Sequence, residues 1–173
     1  MIGLFIGRFQ PLHLGHYSAM KYSLKNVDSL IVGVGSAQYA DTVTNPFSFS
    51  EREKMIEYAF EDVSNKEKLK IVAIPDLHNE CIWVEHVLSC TGPVDLFFGN
   101  DPYVKTLFEK KKVAVHDVPF YDRSIYNATR IRENITKGLE WKSFLPKKVA
   151  DYIIEIDGLK RIKEIENERD YNF

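Results

Sequence analysis

Short apolar runs separated by amphipathic stretches dominate the first 120 residues of the chain. Five of these runs are rich in Val, Ile, Leu and Phe, are at most seven residues long and show no regular alternation with polar residues. They are Ile2–Ile6, Ser29–Val34, Leu69–Ile74, Val94–Phe98 and Lys112–Val118. Such runs are typical of strands that are buried on both faces of a parallel sheet.

Helical patterns fill the intervals between these runs. They cover His16–Leu24, Ser50–Phe60, Trp83–Ser89 and Pro102–Lys110. Two overlapping capping-box patterns, beginning at Ser48 and Ser50, mark the start of the second helix, and Asp101 can cap the fourth, with Pro102 at its first position. The alternating order predicts an α/β fold: a doubly wound, Rossmann-like, parallel five-stranded sheet with helices on both faces.

The last third of the chain has a different pattern, without strand-like runs. Three helices are predicted here, over Thr129–Lys137, Val149–Ile156 and Leu159–Glu168. Their apolar faces are too small for independent folding, so we expect them to pack on the sheet. With no linker or internal repeat, we expect one domain over residues 1–173, with an α/β core over 1–120 and a helical C-terminal part over 121–173.

Composition and charge narrow the class of protein. The chain has 173 residues, of which 45% are hydrophobic and 28% are charged, and its net charge is −2. A near-neutral balance argues against a nucleic-acid-binding surface, and no apolar run approaches the ~20 residues of a membrane span. The start of the chain lacks a signal-peptide pattern, so we expect a cytoplasmic protein. Cys81 and Cys90 are too few for a disulfide framework or a four-cysteine zinc site.

Most of the chemistry-bearing residues lie between the first strand and the first helix. In open α/β sheets, ligands bind at the carboxyl ends of the strands, and a helix N-terminus there favours anions such as phosphate. Gly7 and Gly15 would let a ligand approach the backbone. His13 and His16 are three residues apart and can face one anion from the first helical turn.

Two other interpretations of these histidines stay open. They could hydrogen-bond local backbone groups only, although the presence of two histidines, two glycines and a proline within one turn argues against this interpretation. They could bind a metal ion, which needs a further ligand that the sequence does not place. The remaining histidines that could supply it are His78, His86 and His116.

The turn resembles the signature of the nucleotidylyltransferases, a family that includes cytidylyl- and adenylyltransferases. The pattern G-x-F-x-P-x-H-x-G-H is matched at Gly7, Phe9, Pro11, His13, Gly15 and His16. Further strings along the whole chain resemble the archaeal-type nicotinamide mononucleotide (NMN) adenylyltransferases. They are G-R-F-Q-P at 7–11, G-S-A-Q at 35–38, N-P-F at 45–47, E-R at 51–52, I-W-V at 82–84 and G-N at 99–100. The last extends from L-P at 145–146 to I-D-G-L-K-R-I at 156–162.

The resemblance implies transfer of an adenylyl group from ATP to the 5′-phosphate of NMN, giving NAD⁺ and pyrophosphate in NAD biosynthesis. It assigns the catalytic phosphate contacts to Arg8, His13, His16 and Arg132. It assigns ATP binding to Gly7, Phe9, Gly15, Gly99, Asn100, Asn127 and Thr129. It assigns acceptor binding to Gly35, Ser36, Asp76 and Trp83. Mg²⁺ is expected as cofactor through phosphate oxygens without protein ligands, and a homo-oligomer is expected.

Two of these residues have a structural alternative. Trp83 could stack on a nicotinamide ring, where a pyridinium adds a cation–π interaction, or it could pack in the core. Asn100 could hold the adenine or the ribose, or it could cap the following helix.

The sequence departs from the family pattern at four positions that bear on the substrates. Asn127 replaces a serine in the second phosphate motif, and Asp41 replaces a histidine. Before Trp83, His78 and Glu80 replace a glutamate and an asparagine. The alternatives are therefore an adenylyltransferase for nicotinate mononucleotide, flavin mononucleotide or phosphopantetheine, or a non-catalytic nucleotide-binding module.

Overall fold

Five parallel strands form one sheet in the computed structural model, which describes residues 1–77, 79, 82–119 and 125–170. The strands are β1 (Ile2–Gly7), β2 (Ser29–Gly35), β3 (Leu69–Ile74), β4 (Leu96–Phe98) and β5 (Ala114–His116). Their order is β3-β2-β1-β4-β5, and every neighbouring pair is parallel. The chain therefore winds outward from β1 in both directions, and β1 and β4 meet where ligands bind in this topology.

Seven α-helices accompany the sheet within the described residues. They are α1 (Leu14–Lys25), α2 (Phe49–Phe60), α3 (Trp83–Thr91), α4 (Pro102–Lys110), α5 (Ala128–Lys137), α6 (Lys147–Glu155) and α7 (Gly158–Asp170). Side-chain caps fix several of the starts. Ser48 and Glu51 form the capping box of α2, and the Asp101 carboxylate accepts from the Val104 N–H at 3.0 Å at the start of α4.

The last two strands are shorter than the sequence predicts. The predicted strand Lys112–Val118 is reduced to Ala114–His116, and it begins late because Lys112 adopts a left-handed conformation, with φ of 61°. The Val113 N–H then bonds back to the Phe108 carbonyl at 3.1 Å, which keeps this segment in the turn after α4. The expected strand Val94–Phe98 likewise begins only at Leu96.

Successive residues of each strand point to opposite faces and build two cores. On one face, Phe5, Val32 and Phe98 pack with residues of α1, α2, α5, α6 and α7. On the other face, Leu4 and Ile31 pack with residues of α3 and α4. The double winding predicted from continuous apolar runs is confirmed, since both faces are covered.

The helical C-terminal part packs on the first of these cores. Trp141, Val149 and Ile153 are buried there. Helix α6 lies against α2, and α7 lies against α5. The Arg161 guanidinium of α7 donates to the Glu51 carboxylate at 2.8 Å and to the Pro46 carbonyl at 3.2 Å. These contacts tie the end of the chain to the start of α2.

Within the described parts of the chain, every helix is too short or too polar to cross a lipid bilayer. Cys90 is a half-buried free thiol. Cys81, His78 and Glu80 lie outside the described residues, so the two substitutions noted before Trp83 have no structural description.

Candidate active site

A cavity of about 660 Å³ opens at the carboxyl ends of β1 and β4. Eleven of the fifteen residues assigned to the site line it: Arg8, Phe9, His13, Gly15, His16, Trp83, Gly99, Asn100, Asn127, Thr129 and Arg132. The other four, Gly7, Gly35, Ser36 and Asp76, do not. A second cavity of about 740 Å³ between α1, α2 and α6 contains none of the fifteen.

Four aromatic rings form a column along one side of this cavity. The rings of His13 and His16 are stacked with centroids 3.6 Å apart. The ring of Phe9 lies edge-on to His16 at 4.9 Å, and the ring of Tyr126 lies beyond His13 at 6.5 Å. Gly15 permits this column, because a Cβ there would lie 3.0 Å from the Tyr126 Cβ.

His13 also caps helix α1, since its Nδ1 accepts from the His16 N–H at 3.2 Å. Burial lowers the pKa of His13 to about 4. Burial, and then the neighbouring His13, lower the pKa of His16 well below its usual value. Both rings are therefore neutral near pH 7, and His13 carries its proton on Nε2.

The Nδ1 atom of His16 is buried and has no hydrogen-bond partner among the described residues. A buried polar atom without a partner costs free energy. A ligand in the cavity that supplied a partner would remove this cost. The arrangement favours the interpretation that the histidines contact a bound molecule over the interpretation that they only hydrogen-bond local backbone groups.

Two arginines supply the positive charge of the cavity. Arg132 donates to the Gln10 carbonyl at 2.7 Å and to the Thr129 Oγ1 at 3.3 Å. Burial, and then the like charge of Arg8, lower the pKa of Arg132 from its usual value. Like charges that face the same cavity are stabilised by an anion between them, which is the arrangement that a triphosphate needs.

The start of α5 shows what the replacement of serine by Asn127 does. The Asn127 Oδ1 accepts from the Thr129 N–H at 2.9 Å and from the Arg130 N–H at 3.3 Å. Asparagine is as good an N-cap as serine. The substitution therefore preserves the helix end that carries Thr129 and Arg132.

Two glycines of the site make room for rings of the protein itself. A Cβ at Gly7 would lie 2.8 Å from the Phe9 ring, and a Cβ at Gly99 would lie 2.7 Å from the Phe97 ring. The structure therefore gives Gly7 a packing role, and its predicted contact with a ligand stays a prediction. The position is occupied by the turn of Phe9, whose φ is 51°.

Asn100 forms what we call an amide bracket: its side-chain amide bonds both the N–H and the C=O of one residue in another segment. The Nδ2 donates to the Val118 carbonyl at 2.8 Å, and the Oδ1 accepts from the Val118 N–H at 2.9 Å. The alternative that Asn100 caps α4 is wrong, since Asp101 does so. The Asn100 side chain positions the loops after β4 and β5.

The predicted acceptor residues follow β2 and β3. The Ser36 Oγ donates to the Asp76 carboxylate at 2.7 Å, and the Ser36 N–H donates to it at 3.2 Å. Gln38 forms a second amide bracket on the backbone of Asp76, at 2.9 and 3.2 Å. A Cβ built on Gly35 would lie 3.8 Å from the Arg8 Cγ. Gly35, Ser36 and Asp76 therefore lie next to the cavity at the ends of β1 and β4 but do not line it.

Trp83 combines the two roles that the sequence left open. It lines the cavity, and it packs edge-on against Phe108 with centroids 6.0 Å apart. Asp41, the other notable substitution, lies 3.7 Å from the Arg161 Nε. Its carboxylate thus faces the C-terminal helix.

Sequence reasoning gave no role to two buried polar residues beside the site. Gln10 forms a third amide bracket, with the Phe47 N–H at 2.9 Å and the Phe47 carbonyl at 2.8 Å. Arg52 is fully buried. The spacing of Arg52 with Met55 and Ile56 on one helix face was the available signal, because an arginine at a core-facing position is rare unless it is paired.

No group of three His, Cys, Asp or Glu side chains among the described residues is arranged to hold a metal ion. A divalent cation that arrives with a triphosphate does not need one, because Mg²⁺ keeps several water ligands and binds phosphate oxygens. The residues that line the cavity fit a cation carried by the nucleotide.

Comparison with known proteins agrees with this geometry. Residues 4–135 match the family model described as cytidylyltransferase-like. The chain is 41% identical to the nicotinamide-nucleotide adenylyltransferase of Methanolobus tindarius, with 96% of each chain covered. It is 40% identical to the enzyme of that name from Saccharolobus solfataricus, with 94% of this chain and 95% of the relative covered.

A solved structure has a fold similar to that of this chain. The bifunctional NMN adenylyltransferase/ADP ribose pyrophosphatase from Francisella tularensis, complexed with AMP and a Mn ion, matches 98% of this chain with a TM-score of 0.82 and 24% identity. The present chain spans about half of that protein, 53%. The family model and the full-length relatives together show that the chain belongs to the cytidylyltransferase-like family, among the archaeal nicotinamide-nucleotide adenylyltransferases.

Proposed function

We propose that the protein transfers the adenylyl group of ATP to the 5′-phosphate of NMN, producing NAD⁺ and pyrophosphate in NAD biosynthesis. The observation that carries this proposal is the cavity at the ends of β1 and β4. There, two stacked histidines and two arginines surround the N-terminus of α1, where an anion is favoured. The full-length relatives support the choice of NMN as acceptor.

The reaction needs no protein base. The phosphate of NMN is an anion at neutral pH and attacks the α-phosphorus of ATP. A new phosphorus–oxygen bond forms as the bond to the β-phosphate oxygen breaks. Catalysis then consists of positioning and of stabilising the charge that develops on the leaving pyrophosphate.

The histidines and arginines divide this work. Neutral His13 donates from Nε2, and His16 offers the nitrogen that lacks a protein partner. Arg8 and Arg132 neutralise the phosphate oxygens, since guanidinium groups bind phosphate in a bidentate manner. Mg²⁺, held by the triphosphate oxygens and water, would supply further charge neutralisation there.

The acceptor lies, in this proposal, between Trp83 and the Ser36–Asp76 pair. The exposed part of the indole offers a face to the nicotinamide ring, where a pyridinium gains a cation–π interaction. Nicotinate mononucleotide, flavin mononucleotide and phosphopantetheine remain the alternative acceptors, and a non-catalytic nucleotide-binding module the alternative function. The cytoplasmic location and the homo-oligomer stay predictions.

The test is pyrophosphate release with ATP and Mg²⁺, measured against each of the four acceptors. We expect release with NMN, and we expect His16→Ala to lower the rate by about 10²–10³-fold, the usual cost of one transition-state contact. Release with another acceptor would keep the mechanism and change the substrate. ATP binding without release for any acceptor would refute the enzyme and favour the binding module.

A further inference from the structure

Arg52 is among the largest fully buried side chains of the protein. Its guanidinium bonds four backbone carbonyls. The Nε donates to the Ser48 carbonyl at 3.1 Å, within its own helix. The Nη1 donates to the carbonyls of Arg8 at 3.0 Å and Gly35 at 2.7 Å, and the Nη2 donates to that of Ser36 at 3.1 Å.

Three of these carbonyls, those of Arg8, Gly35 and Ser36, lie at the ends of two adjacent strands. Arg8 opens the segment after β1, which we call the phosphate loop (residues 8–13). Gly35 is the last residue of β2, and together with the residues that follow it forms what we call the acceptor loop (residues 35–38). One rigid, planar group therefore bonds the loop that faces ATP and the loop assigned to NMN.

Both loops begin with the same unusual turn. Phe9 and Ser36 each have φ of 51°, a left-handed conformation that is uncommon for residues other than glycine. Each follows directly on a carbonyl that Arg52 holds, Arg8 in one loop and Gly35 in the other. Such backbone conformations persist where surrounding contacts fix them, and Arg52 supplies these contacts at both places.

Arg52 keeps its charge although it is buried. Burial is the main cause that lowers the pKa of Arg52 to about 10; the Asp76 carboxylate opposes this shift, and the positive charge of Arg8 adds to it. The nearby carboxylates have other bonds: that of Asp76 accepts from Ser36, and that of Glu51 accepts from Arg161. Arg52 therefore remains a cation beneath the site.

We propose that Arg52 is a positioning residue of the transfer reaction, which sets the distance between the phosphate loop and the acceptor loop so that the acceptor phosphate meets the α-phosphorus in line. This inference rests on the adenylyl transfer proposed above. Arg52 is buried and acts through the two loops. Because its effect is on alignment, it changes turnover more than the affinity for either substrate.

The first test compares Arg52→Met and Arg52→Lys with Leu30→Ala. Leu30 is fully buried at the amino end of β2, at the opposite edge of the sheet from the site. We expect Arg52→Met to lower kcat about 100-fold, the cost of a misplacement of ~1 Å, while KM for ATP changes about threefold or less. Arg52→Lys keeps the charge without the planar fork and should lose an intermediate amount. Leu30→Ala should lower the Tm and leave kcat unchanged.

The second test is chemical rescue of Arg52→Ala. We expect added guanidinium, at concentrations well below those that unfold the protein, to raise kcat by about tenfold or more, because it restores the planar donor set. Methylammonium and sodium salts at equal concentration should not. A kcat for Arg52→Met within about threefold of the unaltered enzyme, an equal loss in Leu30→Ala, or equal rescue by sodium would overturn the proposal.

Hydrogen exchange separates this proposal from the proposed function. We expect Arg52→Met to speed amide exchange over residues 8–13 and 35–38 relative to Leu30→Ala, with no acceptor present. If the unaltered protein releases no pyrophosphate with any acceptor but exchange rises in both loops, the proposed function fails and the loop connection stands. Unchanged exchange in both loops would refute the connection itself.

Discussion

At the scale of single residues, the histidines of the site supply directed hydrogen bonds and the arginines supply the positive charge. A cationic histidine would be the simplest partner for a triphosphate, but burial keeps His13 and His16 neutral near pH 7. Their rings offer directed hydrogen bonds from a fixed stack. The positive charge comes from Arg8 and Arg132, whose guanidinium groups carry several N–H donors and no acceptor.

The depressed pKa of His13 makes the folded protein sensitive to acid. The unfolded chain takes up a proton near pH 6.5 and the folded chain only near pH 4. Between these values the unfolded state binds more protons, so stability is full above about pH 6.5 and falls by up to about 1.4 kcal/mol per pH unit as the pH drops. His13→Asn keeps an N-cap without a titrating ring, and we expect it to reduce this slope.

The measurement is the free energy of unfolding by urea at pH values from 4.5 to 8, roughly the range over which the histidine titrates. Near pH 8 the two proteins should differ only by a constant offset. The remaining slope of the variant comes from His16, whose pKa is also lowered, and at the acid end from carboxylates with lowered pKa values such as Asp28 and Glu85. Parallel curves for both proteins over the whole range would contradict the assignment.

At the scale of elements, the helices and strands follow the sequence where local rules decide them. The predicted helix from Pro102 to Lys110 has the same bounds in the structure because Asp101 caps it. Three amide brackets, made by Gln10, Gln38 and Asn100, have no such local signal. Their partners lie 18 to 38 residues away in the chain, so neither periodicity nor a capping pattern indicates them.

The candidate site could be predicted from the sequence only in part, for the same reason. The residues in the strand-to-helix turn were predicted because a short motif carries them. The spacing of Arg52 with Met55 and Ile56 indicates that it is buried, but its four partners are backbone carbonyls, which no sequence pattern identifies. The location of Asp76 beside Ser36 follows from the pairing of β2 with β3, and the sequence predicts the strands without their order.

The Asn100 bracket can be tested by Asn100→Asp. An aspartate keeps the acceptor for the Val118 N–H but cannot donate to the Val118 carbonyl, and it brings a negative charge to the phosphate cavity. We expect a loss of about 1–3 kcal/mol in the free energy of unfolding and a higher KM for ATP. Asp101→Asn is the matched control, because either residue caps α4. If Asn100→Asp left both quantities at the level of this control, the bracket would have no role.

At the scale of the whole molecule, helix α7 links the end of the chain to the site. Arg161 bonds Glu51, which is also part of the capping box of α2. Helix α2 carries Arg52 and begins two residues after Phe47, which the Gln10 bracket holds. The helical C-terminal part is therefore coupled to both loops of the site through the first turn of α2.

This coupling predicts unequal effects for two neighbouring cations of α7. Arg161→Ala removes charge-assisted bonds to half-buried Glu51 and to the carbonyl of buried Pro46, and should cost about 1.5–3 kcal/mol of unfolding free energy. Lys160→Ala removes an exposed pair with Glu164, at 3.7 Å, and should cost about 0.5 kcal/mol or less. Urea unfolding of both variants checks the difference. Equal midpoints would show that α7 does not anchor the start of α2.

The amide brackets imply an uneven tolerance to mutation. Each bracket recognises a peptide group, so the bracketed residue can change its side chain while the bond persists. Val118 is half-buried against the core, and other apolar residues of similar size could replace it without breaking the bracket. Asn100 has no such freedom, since among side chains of its length only an amide presents a donor nitrogen and a separate acceptor oxygen. We therefore expect related sequences to vary at position 118 and to keep asparagine at position 100.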